Sequence, residues 1–86
     1  MDDSILLKNI TASIKDICRS NNFIRIKGIE IVVSENSHIT EKTLKNNLLE
    51  LCDEYIDKDT SILLFYGDPF EFTAHIDFIE GIEAKE

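Results

Sequence analysis

The segment Phe23–Ser34 is the part of this sequence that most restricts the fold. It is rich in β-branched residues, which is typical of a strand. Its alternating apolar positions are Ile24 and Ile26 before Gly28, and Ile29, Ile31 and Val33 after it. The alternation changes parity at Gly28, so Ile26 and Ile29 stand three positions apart. One extra residue in a strand produces such a step and glycine tolerates it, so we predict a β-bulge at Gly28. An irregular strand end is the competing interpretation.

Two amphipathic helical patterns flank this strand. The first runs from Asp3 to Ser20 and ends at Asn21-Asn22. The second follows N-cap candidates between Ser37 and Thr40. The predicted apolar stripes are Leu6, Ile10, Ile14, Ile17 and Cys18 in the first helix, and Leu44, Leu48, Leu51, Cys52 and Tyr55 in the second.

Two further strands complete the pattern. Ser61 to Tyr66 is almost continuously apolar, which predicts a central strand or one buried on both faces. Gly67-Asp68-Pro69 breaks it, and Phe70 to Glu83 returns through a link short enough for a hairpin with the preceding strand. The stretch Ile79 to Glu83 echoes Ile26 to Glu30, including the parity change at glycine. Neighbouring strands that bend at the same height would produce this echo, and so would coincidence.

The order of elements is therefore α-β-α-β-β. A right-handed crossover makes the first two strands parallel, and the hairpin makes the third antiparallel to the second. We predict one α/β (α+β) domain over residues 1–86, in which two helices pack on one face of a three-stranded mixed sheet.

The chain carries 17 acidic and 9 basic residues, a net charge of −8. This charge disfavours direct binding of nucleic acid or of an anionic membrane, because both need a basic patch. It suits a solvated surface or a protein partner with a basic face. With no leader and no apolar run near 18 residues, we expect a cytoplasmic protein. Cys18 and Cys52 are then free buried thiols, a disulfide between side-by-side helices being the less favoured alternative.

Candidate catalytic groups are sparse. His75 and Asp77 are two apart on a strand and are predicted to share a face, as a carboxylate-oriented histidine requires. The exposed polar face of the last strand explains them as well, and no nucleophile stands at a fixed spacing, so we expect no enzyme activity. His38 is interpreted as a surface residue. Phe70 and Phe72 are either a contact patch or ordinary core.

Carboxylates crowd the end of the second helical pattern. Glu50, Asp53 and Asp57 are predicted to share one exposed helical face, with Glu54 and Asp59 nearby. They can meet a basic partner, hold a hard cation weakly, or simply repel one another on a solvated helix. Negative charge at the C-terminal end of a helix is unfavourable, which favours a partner.

The apolar spacing resembles that of a family of nickel-insertion proteins. Ile26-x-x-Ile29-x-Ile31-x-Val33-Ser34 resembles the V-x-x-V-x-L-x-I-G strand of the HypA/HybF proteins of hydrogenase and urease maturation. The resemblance covers most of the chain and continues at Met1-Asp2-Asp3, Ile10, Ser37, Ile39, Leu44, Leu48, Glu54 to Leu64, Ile79, Ile82 and Glu83. It implies a HypA-like accessory protein that docks onto protein partners, in this family a GTPase and an apo-enzyme, and it allows a homodimer.

Two departures from the family pattern concern metal binding. Asp2 stands where the family has the histidine that holds nickel together with the N-terminal amine, and a lone carboxylate suits nickel less well. The short link Gly67–Thr73 replaces the zinc module, and neither Cys18 nor Cys52 matches a zinc ligand. We therefore assign no catalytic, metal or cofactor-binding residue. Whether Asp2 and the amine retain weak metal binding stays open.

These observations lead to two functional hypotheses. The first is a non-enzymatic, metallochaperone-like interaction module in nickel metalloenzyme maturation. The alternative is an acidic protein inhibitor or nucleic-acid mimic that binds a basic groove of a partner protein. The alternative needs carboxylates in rows spaced like phosphates, for which the end of the second helix is the candidate.

Overall fold

The computed structural model describes residues 4–68 and 74–85. Its five elements are α1 (Ser4–Ser20), β1 (Phe23–Ser34), α2 (Glu41–Leu51), β2 (Ser61–Asp68) and β3 (Ala74–Glu83). The predicted α-β-α-β-β order and the three-stranded mixed sheet are confirmed.

The strand order in the sheet is β2-β1-β3. β1 pairs in parallel with β2, as predicted, and antiparallel with β3. The predicted β2–β3 hairpin is therefore wrong, because β3 takes the other edge of β1. β2 is neither central nor buried on both faces, since it is an edge strand and exposes Leu63 and Phe65. Five link residues reach about 17 Å when extended, whereas strands on either side of a common neighbour are only about 10 Å apart. A short link therefore does not by itself require a hairpin.

β1 carries the predicted bulge at Gly28. On the β3 side, Ile26 is paired with Gly81 and Gly28 with Glu80, which leaves one extra residue in β1. The bulge reverses the alternation, so Ile26 and Ile29 both face the core and are buried. The two segments that echo each other in the sequence are neighbours in the sheet.

The apolar face of α1 packs on the sheet, and a pair of asparagines follows the helix. The buried residues of this helix are Leu6, Ile10, Ile14 and Cys18, with Ile17 half-buried beside them. The backbone and side-chain nitrogens of Asn21 donate to the Ile17 carbonyl at 3.0 and 2.8 Å. Asn22 adopts a φ of 58°, a left-handed conformation that asparagine tolerates, so the chain turns directly into β1.

The N-cap of α2 is Thr40, one of the predicted candidates. The Thr40 hydroxyl accepts a hydrogen bond from the Thr43 N–H at 3.1 Å. The buried residues on this side are Leu44, Leu48, Cys52 and Ile56. The structure corrects the end of the predicted stripe, because α2 ends at Leu51, which is 43% exposed, and Tyr55 lies beyond the helix.

The turn after α2 is fastened to β1 by hydrogen bonds. The Ile26 N–H donates to the Tyr55 carbonyl at 2.8 Å. The buried Thr60 hydroxyl donates to the Ile26 carbonyl at 2.9 Å and accepts from the Asp57 N–H at 3.1 Å. Arg25 and Asp57 form an ion pair across the same junction. These contacts fix where β2 begins and hence its register on β1.

One apolar core lies between the two helices and the inner face of the sheet. The central strand contributes Ile26, Ile29, Ile31 and Val33 to it. In the part of the chain that the structure describes, neither helix has the length and apolar character needed to cross a bilayer.

Candidate functional site

His75 and Asp77 both lie exposed on β3. The pairing with β1 shifts register between Ile76 and Phe78, which leaves Asp77 without a partner residue on β1. The regular alternation that predicted a shared face is therefore interrupted between the two groups. His38 is exposed in the segment before α2, as predicted.

Cys18 and Cys52 are free and buried, as predicted. Burial, followed by the nearby Cys52 and Glu54, raises the pKa of the Cys18 thiol to about 11. The pKa of Cys52 is also raised, chiefly by burial, although Lys15 and Thr11 act in the opposite direction. Because a thiolate is the reactive form, neither side chain is an activated nucleophile at neutral pH.

The carboxylates near the end of α2 do not form the predicted helical face. Glu50 lies on α2, whereas Asp53 and Asp57 lie in the turn that follows it. Asp57 is only partly exposed and is paired with Arg25. The row of carboxylates that a nucleic-acid mimic would need is therefore not built on this helix.

Within residues 4–68 and 74–85, no three His, Cys, Asp or Glu side chains are grouped so as to hold a metal ion. Asp2, Phe70 and Phe72 lie outside the described residues. The expectations for these three positions therefore stay predictions.

The sheet face opposite the helices is a candidate interaction surface, which we call the outer face. Its outward residues are Gly28, Glu30 and Val32 in β1, Ser61, Leu63 and Phe65 in β2, and His75, Phe78 and Glu80 in β3. Leu63, Phe65 and Phe78 are 45%, 46% and 49% exposed. Large apolar side chains gathered on one exposed face are typical of protein-binding surfaces.

A hollow of about 330 Å³ lies in the outer face at Gly28. Gly28 has no side chain, so the floor of the hollow is backbone. Ser61 and Glu80 flank Gly28 in register, and the apolar part of the lining is Leu63 and Phe78, which flank the next outward residue of β1, Glu30. The charged residues around the hollow are Lys27, Glu30 and Glu80.

β2 is an edge strand in this sheet, and the segment around α2 shields it. The Leu64 N–H donates to a Glu41 carboxylate oxygen at 3.3 Å. The Tyr66 hydroxyl donates to the Ile39 carbonyl just before α2. Residues 61–67 carry no charge, and an uncharged edge strand pairs readily with other strands. The Glu41 contact opposes such pairing, which leaves the outer face as the better docking surface.

Sequence reasoning missed the outer face because it predicted that β2 is central or buried on both faces. The sequence nevertheless contained a signal for this exposed face. Two helices that pack on one face leave the other face uncovered, so a strand that is apolar on both faces must expose one of them. Gly28 was recognised as a bulge but not as the floor of a hollow.

No protein-family model matches the sequence, and no curated protein is significantly similar to it. The resemblance to the nickel-insertion proteins therefore rests on the residues quoted for it.

Proposed function

We propose that this protein is a non-enzymatic interaction module that binds a protein partner through its outer face. In this proposal it is a HypA-like accessory protein in the maturation of nickel metalloenzymes such as hydrogenase, working in the cytoplasm without a cofactor. The observation that carries the proposal is the cluster of Leu63, Phe65 and Phe78, each close to half exposed. Burying such side chains against a partner removes apolar surface from water and is favourable.

The HypA-like part of the proposal is supported by the bulged β1 between two amphipathic helices. The step of three between Ile26 and Ile29, on which the resemblance begins, coincides with the bulge at Gly28. Because Asp2 replaces the family's histidine, the proposed role is that of an accessory subunit and not of a nickel carrier.

The alternative role as an acidic mimic receives less support. This alternative was suggested by the net charge of −8. However, Asp57 is engaged by Arg25, and the turn that holds it serves to fasten β2 to β1.

The proposal is tested by capturing partners of the tagged protein from the cells that naturally produce it. Leu63→Gln replaces an apolar side chain of the cluster by an uncharged polar one, and Leu51→Gln is the matched control, since Leu51 on α2 is the same residue type at 43% exposure against 45%. We expect wild type and Leu51→Gln to retain a nickel-enzyme maturation protein or apo-enzyme subunit. Leu63→Gln should retain at least about tenfold less, which corresponds to about 1.4 kcal/mol of binding free energy.

Two results would contradict the proposal. One is capture in which no component of nickel-enzyme maturation depends on Leu63. The other is calorimetry that detects tight, submicromolar nickel binding that requires the N-terminus, because the chain would then be a nickel carrier itself.

A further inference from the structure

We propose that the hollow at Gly28 receives an arginine side chain of the partner protein. This inference rests on the proposed function, because it names the chemistry with which the outer face recognises its partner. It goes further than an apolar docking face, since it assigns the recognition to a defined hollow with apolar walls and a charged rim.

The shape of the hollow suits one long side chain. Its floor is the backbone of Gly28, whose partners in register are Ser61 and Glu80. Leu63 and Phe78 also line it, on either side of Glu30, and its volume is about 330 Å³. The methylene stem of an arginine packs against apolar walls of this kind, and its planar guanidinium stacks on an aromatic ring such as that of Phe78.

The charges at the rim favour a cation. Glu30 is half-buried and Glu80 is exposed. The ion pairs found among the described residues are Lys15–Glu54 and Arg25–Asp57, so neither rim carboxylate is engaged by a cation of the described chain. Covering Glu30 with an apolar partner alone would bury an uncompensated charge, which is strongly unfavourable. A guanidinium compensates that charge with two parallel hydrogen bonds.

Lys27 lies at the same rim and repels an incoming cation. The direction in which binding changes when this charge is removed can therefore be used to test the proposal. Removal of the Lys27 charge strengthens the binding of a cationic ligand and weakens the binding of an anionic one.

A second copy of this chain fits the outer face less well than a basic partner does. Face-to-face docking about a two-fold axis through the centre of the face brings Glu30 of one protomer towards Glu30 of the other. Each protomer also carries a net charge of −8. Like charges brought together in this way oppose association.

The test uses nuclear magnetic resonance titration of the whole protein with two peptides. The probe is acetyl-Leu-Arg-Leu-amide, and the matched control is acetyl-Leu-citrulline-Leu-amide, which has the same shape without the charge. We expect the arginine peptide to shift the amide signals of Gly28, Glu30, Leu63 and Phe78. We also expect it to bind at least about fivefold more tightly than the citrulline peptide, because charge-assisted hydrogen bonds are the stronger ones.

Three variants locate the binding in the hollow. Gly28→Val fills it. A Cβ at Gly28 would make only ordinary contacts with Ser61 at 3.9 Å, and urea denaturation checks that the variant with its two further methyl groups is folded. This variant and Glu30→Gln should abolish the preference for arginine, whereas Lys27→Ala should tighten binding about twofold. Equal affinity for the two peptides, or an arginine preference that survives Gly28→Val in a folded protein, would overturn the proposal.

Sedimentation equilibrium tests the other candidate occupant of the hollow, a second copy of this chain. A dimer that Gly28→Val dissociates, together with equal binding of both peptides, would assign the hollow to a second copy and refute the arginine site. Failure of the peptide test leaves the capture experiment with Leu63→Gln standing, so the two proposals fail separately.

Discussion

The ring of Phe23, at the start of β1, lies against the backbone of Gly81 in β3, in the space that a side chain at position 81 would occupy. A Cβ at Gly81 would lie 2.3 Å from Cδ2 of Phe23. Real Cβ atoms do not approach other atoms so closely, so the glycine is required for this contact. The contact closes the end of the sheet next to the turn between α1 and β1.

Gly81→Ala should therefore destabilise the fold. We expect the free energy of unfolding to fall by about 1–3 kcal/mol, as for other overpacked sites, because Phe23 must leave its place. Gly28→Ala is the control, since its Cβ would be 3.9 Å from the nearest atoms, and it should be neutral or stabilising by up to about 1 kcal/mol. Urea denaturation of both variants measures these free energies of unfolding. Equal stabilities would show that the Phe23 contact does not limit the stability of the fold.

The buried hydroxyl of Thr60 should be important for stability. Thr60→Val keeps the shape but removes the hydrogen bonds to the Ile26 carbonyl and from the Asp57 N–H. We expect a loss of about 1–3 kcal/mol, because buried polar groups are left unpaired. Ser13→Ala, which removes a hydroxyl at an exposed position of α1, should change stability by less than about 0.5 kcal/mol. Chemical denaturation monitored by circular dichroism measures both, and similar losses for the two variants would contradict this role.

The Cys18 thiol should make the fold less stable in alkaline solution. Its pKa rises from 9.0 to about 11 on folding, so the unfolded chain releases the proton first. The stabilisation is complete below pH 9 and is lost as the pH rises towards 11, at about 1.4 kcal/mol for each pH unit at most.

Denaturation of wild type and Cys18→Ala at pH 8 and pH 10.5 checks this expectation. The variant is less stable at both pH values because it leaves a cavity, but its stability should fall less steeply with pH. Identical slopes would mean that Cys18 titrates alike in the folded and unfolded chains.

Glu41 should limit self-association through β2. Glu41→Ala frees the Leu64 N–H on an uncharged strand edge, and such edges pair with other chains. We expect more dimer or larger species in sedimentation velocity as concentration rises. Glu50→Ala removes the same charge from the exposed part of α2 and should leave the protein unchanged. If both variants associate equally, net charge and not the edge is responsible.

Local features of the fold were predictable from the sequence because each has a local physical cause. The step of three around Gly28 requires an extra residue, Asn21-Asn22 can adopt the left-handed turn, and Thr40 can cap α2. Strand order was not predictable in this way. Which edge of β1 receives β3 depends on what α1 covers, and α1 packs on both β1 and β3.

The candidate site was predictable only in part. Gly28 was singled out correctly, but Leu63 and Phe65 were expected to be buried. Asp57 was expected on an exposed helical face, but it lies in a turn, where it is paired with Arg25 and hydrogen-bonded to Thr60. The exposure of Leu63 and Phe65 and the position of Asp57 depend on contacts between segments that are distant in sequence.

The floor of the hollow belongs to β1, the one strand of the described sheet with neighbours on both edges. Backbone amides of such a strand are among the last to exchange with solvent, since they open only when the whole domain opens. The proposed recognition surface is therefore rigid in the free protein, and little ordering entropy should be lost when a partner binds. Association should then proceed in a single kinetic step, without a slow conformational phase.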